Sequence, residues 1–216
     1  MIVFRNTYSN KKPTVYNSKI GGKPYWPRYT PYPKDNNNND MVFLAQINFS
    51  ELPENNIFPK EGMLQFFIMK DDAFGLFENE GYKVVYHPEI TKSKDVKVHY
   101  EYGYDTPVKK EARMIFTVGT EEMSYNDFRF DKNLGEEYIE GHDTGWGTKL
   151  LGYPAFTQED PRIVVSNQKY DTLLFQLDSD DGYVMWGDVG IGNFFINYEN
   201  LIKHDFSDVL YNWDCY

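Results

Sequence analysis

Seven consecutive residues, Gly141–Gly147, bring together the side chains in this sequence that are best suited to chemistry. His142 and Asp143 could exchange a proton near neutral pH, and Trp146 offers a large flat ring. The glycines allow the backbone to turn tightly and to approach a ligand closely. The segment is predicted to form a binding loop at the rim of the main concavity. The alternative is a surface loop whose Trp146 fills the core, because neighbours in a loop rarely face one another.

Two glutamines and one aspartate complete the candidate binding set. Gln46 and Gln176 each lie inside an apolar run that is typical of a buried strand, and Asp188 lies in a glycine-rich segment. A buried amide needs partners for both its donors and its acceptor. One interpretation is that each glutamine ties a neighbouring turn to its strand. The other is that the two amides face a shared cleft.

Motifs for metal binding and catalysis are missing from the sequence. The histidines are scattered and the single cysteine, Cys215, is next to the last residue. No zinc-ligand spacing, nucleophile elbow or phosphate-binding loop is present. Asp178–Gly182 resembles a calcium loop but has glycine at its fifth position, so a polar turn is favoured and weak cation binding stays open. We therefore expect no metal, no cofactor and no catalytic residue.

The charge balance bears on the kind of partner. The chain has 216 residues, with 22 Lys and Arg against 33 Asp and Glu, a net charge of −11. Such a chain repels phosphate backbones, which argues against nucleic acid, and attracts a basic partner. A simple role in solubility is the alternative. No signal peptide or apolar span is visible and one cysteine suits a reducing compartment, so we expect a cytoplasmic protein without membrane contact. The sequence leaves the oligomeric state open.

Short apolar or alternating runs, punctuated by Pro and Gly, predict a protein rich in strands. Helical signals are few; the strongest is Asn197–His204, where Asn197 can cap the helix. The predicted fold class is therefore α+β, mostly antiparallel sheet with few short helices. The predicted strands are Met41–Asn48, Gly62–Met69, Tyr82–Tyr86, Val96–Tyr100, Met114–Val118, Thr172–Leu177 and Asn193–Asn197.

An internal repeat organises the chain. Three segments recur in the same order at spacings of 130, 130 and 128 residues: Lys19–Pro24 and Lys149–Pro154, Leu44–Ile47 and Leu174–Leu177, Gly62–Ile68 and Gly190–Ile196. The repeat predicts one domain over residues 1–216 with a pseudo-twofold duplication. Its halves would be about 13–90 and 141–216, with an inserted segment at about 91–140. Two independent domains are the alternative.

The same repeated segments carry a family resemblance. The matching pieces are Lys19–Pro27, Phe43–Ile47, Leu151–Pro154, Leu174–Asp178, Gly187–Gly190, Phe194–Ile196, Asp205–Phe206 and Trp213–Tyr216. Together they resemble the YwqG-like family of bacterial proteins, over residues 13 to 216. That family's shared domain has no established reaction or ligand. Relatives are associated with toxin–immunity gene neighbourhoods, so the resemblance implies an immunity role as one hypothesis.

The leading functional hypothesis is a non-enzymatic intracellular binding or regulatory protein that neutralises a basic partner. It depends on the net charge, the missing catalytic motifs and the resemblance. The alternative is an enzyme or small-ligand binder with a cleft near His142, Asp143 and Asp188. A deep cavity lined by carboxylates and histidine would favour the alternative. A flat acidic face would favour the binding protein.

Overall fold

The computed structural model describes residues 1–91, 106–131, 133, 145–180 and 182–216. Strands dominate this part of the chain, and all the pairings between them that are described here are antiparallel. The strands are β1 (Ile2–Ser9), β2 (Lys19–Ile20), β3 (Val42–Asn48), β4 (Met63–Ile68), β5 (Tyr82–His87), β6 (Ala112–Thr120), β7 (Lys149–Leu151), β8 (Thr172–Asp178), β9 (Ile191–Ile196) and β10 (Val209–Asp214). Six of the predicted strands coincide with β3, β4, β5, β6, β8 and β9, while Val96–Tyr100 lies outside the described residues.

The predicted α+β class is wrong, because the described residues contain almost no helix. They hold one α-helix, Tyr198–Ile202, and three-residue 3-10 turns at Phe49–Glu51, Pro161–Ile163 and Val165–Asn167. The α-helix is capped as predicted: Asn197 Oδ1 accepts from Glu199 N at 2.9 Å. It buries only Leu201 and is too short to form a layer of its own. The protein is therefore an antiparallel all-β fold.

The chain divides into two compact units. Unit 1 comprises residues 1–6, 116–180 and 185–216, and unit 2 comprises residues 7–115 and 181–184. In unit 1 the hydrogen-bonded strand order is β10-β9-β8-β7-β1, and in unit 2 it is β6-β2-β3-β4-β5. The segment interpreted as an insertion thus contributes strand β6, whose residues 112–115 belong to unit 2 and 116–120 to unit 1.

Each unit contains the same bulged strand pair. In unit 2 Gln46 of β3 pairs with Gln65 of β4, and a bulge separates Phe43 from Ala45. In unit 1 the pair is Gln176 of β8 with Asn193 of β9. The corresponding bulge lies between residues 173 and 175, at a spacing of 130 from the first. The recurring sequence segments therefore adopt the same local register.

The packing beside each strand pair is aromatic. In unit 2 the buried cluster is Trp26, Met41, Phe43, Phe67 and Met69, and the Trp26 ring meets the Phe67 ring edge-on at 5.7 Å. In unit 1 the corresponding cluster is Phe156, Leu173 and Phe195. Its two rings, Phe156 and Phe195, stack at 6.1 Å. Each unit has a Gly-Pro turn, residues 21–24 in unit 2 and 152–154 in unit 1. Trp26 and Phe156 follow these turns by two residues and pack the chain beside each turn against its strand pair.

Candidate functional site

Gln46 ties the Gly-Pro turn of unit 2 to strand β3. Its Nε2 donates to Val15 O at 2.9 Å and to Asn17 O at 2.8 Å. Its Oε1 accepts from Tyr25 N at 2.8 Å and from Gln65 Nε2 at 3.1 Å. The side chain is fully buried. All of these partners belong to the protein itself. The bonds link the chain on both sides of the turn to strand β3.

Gln176 makes the corresponding three bonds to backbone groups in unit 1. Its Nε2 donates to Gly145 O at 2.6 Å and Gly147 O at 2.8 Å, and its Oε1 accepts from Ala155 N at 2.9 Å. Each backbone partner lies 130 residues after its counterpart in unit 2. Gln176 is also fully buried. Two polar side chains that sequence reasoning singled out are therefore parts of a repeated structural device.

A buried lysine lies beside each glutamine in the ladder. Lys149 pairs in register with Gln176, and its Nζ donates to both carboxylate oxygens of Glu121, at 3.0 and 2.9 Å, and to Tyr153 O at 2.6 Å. Burial lowers the pKa of Lys149 to about 8, and Glu121 opposes part of that shift. Glu121 also accepts from Arg5 Nη2 at 2.7 Å, so an exposed arginine joins the buried pair of Lys149 and Glu121.

Lys19 is the counterpart in unit 2, where the arrangement is more open. It pairs in register with Gln46, and its Nζ donates to Lys23 O. Burial lowers its pKa to about 8, while Glu111 acts in the opposite direction. Glu111 forms an ion pair with Lys12 at 3.4 Å, and 27% of its side chain is exposed, against 1% for Glu121. The carboxylate next to the buried lysine is therefore sealed in unit 1 and open to solvent in unit 2.

A glycine makes room for each carboxylate. A Cβ at Gly22 would collide with Glu111 Oε2, and a Cβ at Gly152 would collide with Glu121 Oε2. The preceding residue has a left-handed backbone in both units, with φ of 56° at Gly21 and 58° at Leu151. Unit 1 thus holds a leucine in a conformation that glycine adopts without strain.

The candidate residues of the Gly141–Gly147 loop are only partly described. His142 and Asp143 lie outside the described residues. Trp146 is half-buried, between the two glycine carbonyls that Gln176 holds. Asp188 is exposed on a separate loop, where its carbonyl accepts from Tyr216 N at 3.2 Å. Among the candidates, the structure therefore brings Trp146 next to Gln176.

Unit 2 contains a partly open cavity of about 430 Å³ that sequence reasoning missed. Its lining consists of the end of β1 and the residues after it, the start of β6 and the residues before it, and Tyr183. The lining residues are Ser9, Asn10, Lys11, Lys12, Pro13, Lys109, Lys110, Glu111, Ala112 and Tyr183. The sequence contains two Lys-Lys pairs, 11–12 and 109–110, and both line this cavity. That repetition of a basic dipeptide in an acidic chain was the available signal.

Charge is distributed unequally between the units. The residues of unit 1 include 18 Asp and Glu against 7 Lys and Arg, a net charge of −11. Those of unit 2 include 15 of each, a net charge of zero. The entire acidic surplus of the chain therefore belongs to unit 1.

Comparison with known families identifies the domain. A profile for a domain of unknown function, DUF1963, matches residues 18–215. The chain belongs to the DUF1963 family. The match covers both glutamines and both buried lysines of this DUF1963 domain, while β1 and two backbone partners of Gln46, Val15 and Asn17, precede it. No curated protein matches the chain. Within the described residues, none of the helices has the length and apolar character needed to cross a membrane.

Proposed function

We propose that this DUF1963 chain is a non-enzymatic binding protein that neutralises a basic protein partner through unit 1. The observation that carries the proposal is the concentration of the whole net charge of −11 in that unit. A strongly acidic surface speeds encounter with a basic partner and disfavours acidic ones. The resemblance to YwqG-like proteins and an immunity-like role form part of the same proposal.

Exposed apolar side chains support the choice of unit 1. Of the thirteen exposed large hydrophobic residues in the described part of the chain, ten belong to unit 1. Ile163, Val164 and Val165 are consecutive where two 3-10 turns meet, and their side chains are 45%, 54% and 79% exposed. Interfaces combine apolar contacts that contribute affinity with charged rims that contribute specificity. Unit 1 has both exposed apolar residues and excess acidic charge. The described residues of unit 2 include three exposed large hydrophobic side chains: Tyr29, Phe77 and Ile115.

The experiment compares charge removal on the two units. A triple variant of exposed carboxylates in unit 1, Glu159→Gln with Asp188→Asn and Glu199→Gln, should lose a basic partner that the unchanged protein captures from its own cells. The matched triple variant in unit 2, Glu54→Gln with Glu61→Gln and Asp72→Asn, should retain it. All six side chains are exposed, so both variants should fold normally.

Capture would be quantified by mass spectrometry and repeated at high salt, where screening should weaken it. The proposal is wrong if the stoichiometric partner is acidic, if no partner is captured, or if the two triple variants lose it equally.

A further inference from the structure

The cavity in unit 2 has the composition of an anion site. Among the described residues that line it, four are lysines and one, Glu111, is a carboxylate. Lys11 and Lys12 lie nearly one hundred residues away from Lys109 and Lys110 in sequence, so the fold brings the two pairs together. We propose that this cavity binds a small, multiply charged anion of the phosphate class.

The wall of the cavity is held by backbone contacts. Lys109 N donates to Tyr183 O at 2.8 Å, and Val108 forms an antiparallel bridge with Val184. The Tyr183 ring packs against the ring of Tyr8, with centroids 4.7 Å apart. Lys109 and Lys110 therefore project from a backbone segment that is held in place before any ligand arrives, which lowers the entropic cost of binding.

Three of the four lysine ammonium groups have partners that an anion can replace. Lys12 pairs with Glu111 at 3.4 Å, Lys109 Nζ donates to Thr106 O at 2.8 Å, and Lys110 Nζ lies 5.1 Å from the centre of the Tyr183 ring. Within the described residues, Lys11 Nζ has neither a hydrogen-bond partner nor an ion-pair partner. Because Lys12 is exposed, its ion pair with Glu111 contributes little stability. Replacing Glu111 by a ligand oxygen as the partner of Lys12 therefore costs little free energy.

The size and charge of the cavity define the ligand class. A volume of about 430 Å³ lies in the range of small-molecule sites and suits a compact anion. The four lysines of the described lining carry three more positive charges than Glu111 can neutralise. Lysine binds phosphate as a point charge and does not require one fixed geometry. An anion with two or more negative charges would match the positive surplus of the cavity. A polynucleotide is a poorer ligand than a small anion, because its long phosphate backbone is repelled by a chain with a net charge of −11.

The test uses pyrophosphate as the probe, with citrate and a single-stranded DNA 20-mer as comparison ligands. Isothermal titration of the full chain should give one pyrophosphate site that weakens with added salt. The double variant Lys11→Gln with Lys110→Gln should weaken binding at least about tenfold. The matched variant Lys23→Gln with Lys60→Gln, two exposed lysines of unit 2 that do not line the cavity, should leave it unchanged.

Three outcomes would overturn the inference: no saturable binding of pyrophosphate, equal weakening by the two double variants, or tighter binding of citrate or DNA than of pyrophosphate. Thermal melts check that both variants fold. The cavity variants leave the acidic unit unchanged, and the unit 1 charge variants leave the cavity unchanged. Failure of the phosphate site and failure of the partner proposal are therefore separate results.

Discussion

Lys19 and Lys149 occupy matching positions in the two units, each beside a buried glutamine, yet their surroundings differ. Lys149 and Glu121 form a fully buried ion pair, and the exposed Arg5 binds the same carboxylate from the surface. Lys19 instead lies near Glu111, which also borders the lysine-lined cavity. Both units therefore share the turn and the buried lysine. The residues around them determine whether the carboxylate beside the lysine is buried, as in unit 1, or open to solvent, as in unit 2.

A second difference concerns the side chains that pack on β4 and β9, the strands that each contain the sequence Phe-Phe-Ile. In unit 2 the ring of Tyr32 meets that of Phe67 edge-on at 5.5 Å. In unit 1 the residue 130 positions later is Arg162, whose guanidinium lies 4.3 Å from the centre of the Phe195 ring. Arg162 is fully buried and binds Asp160 and Asp127 at 2.8 and 3.1 Å. Unit 1 thus uses a buried ion network where unit 2 uses an aromatic contact.

The largest effect is expected from removing this network. Arg162→Ala leaves two buried carboxylates with fewer partners and should lower the free energy of unfolding by about 3–5 kcal/mol. Tyr32→Ala in unit 2 removes a half-buried ring and should cost about 1–2 kcal/mol. Urea unfolding measures both. Equal losses would mean that the ion network of unit 1 adds nothing beyond packing.

The carboxylates beside the buried lysines give a second pair of variants. Glu121→Gln removes the charge that compensates Lys149 and Arg5, and should cost about 3 kcal/mol. Glu111→Gln changes a partly exposed group and should cost less than about 1 kcal/mol. Chemical denaturation distinguishes the two. A larger loss for Glu111→Gln would show that the open site of unit 2 is the more important for stability.

The lowered pKa values of Lys149 and Lys19 predict a pH dependence. The unfolded chain keeps these protons up to about pH 10.5, whereas the folded chain releases them near pH 8. The unfolded state therefore binds more protons in that interval, and the stability should rise as the pH increases from 8 towards 10.5. Lys149→Met should reduce this rise by on the order of 2 kcal/mol. Denaturation curves at pH 8 and pH 10 measure it, with the exposed Lys60→Met as the control; an unchanged slope in Lys149→Met would contradict the assignment.

The smallest effect on stability is expected at the exposed loop of unit 1. Val165→Ser should change the free energy of unfolding by less than about 0.5 kcal/mol, because the side chain is 79% exposed. It should nevertheless weaken capture of the basic partner. Phe77→Ser, at a residue of unit 2 that is 84% exposed, should change neither quantity. Weaker capture by the Phe77 variant, with no effect at Val165, would move the interface to unit 2.

The strand pairs could be predicted from the sequence because their apolar runs are long and their Phe-Phe-Ile segments recur. Strands β2 and β7 were missed because they are two and three residues long and lie within Gly-Pro turns. Strand β1 was missed because Ile2–Ser9 mixes polar and apolar residues without clear alternation. The helical signals led to the wrong fold class because a capping residue shows where a helix can begin, not how far it extends.

The candidate site was harder to predict than the fold. Gln46 and Gln176 are unusual in the sequence because a polar residue within an apolar strand must have partners, and the partners are backbone groups together with the Gln65 side chain in unit 2. The lysine cavity was missed because each Lys-Lys pair alone is typical of a solvated loop. Only the fold brings residues 11–12 next to residues 109–110.

The left-handed backbone at Leu151 affects the order in which the two turns can form. A leucine in this conformation costs about 1–2 kcal/mol, which burial of its side chain, 4% exposed, offsets only once the core of unit 1 has assembled. Gly21 carries no such cost, so the turn in unit 2 does not need core burial to offset backbone strain. We therefore expect the first Gly-Pro turn to be an early event during folding and the second a late one.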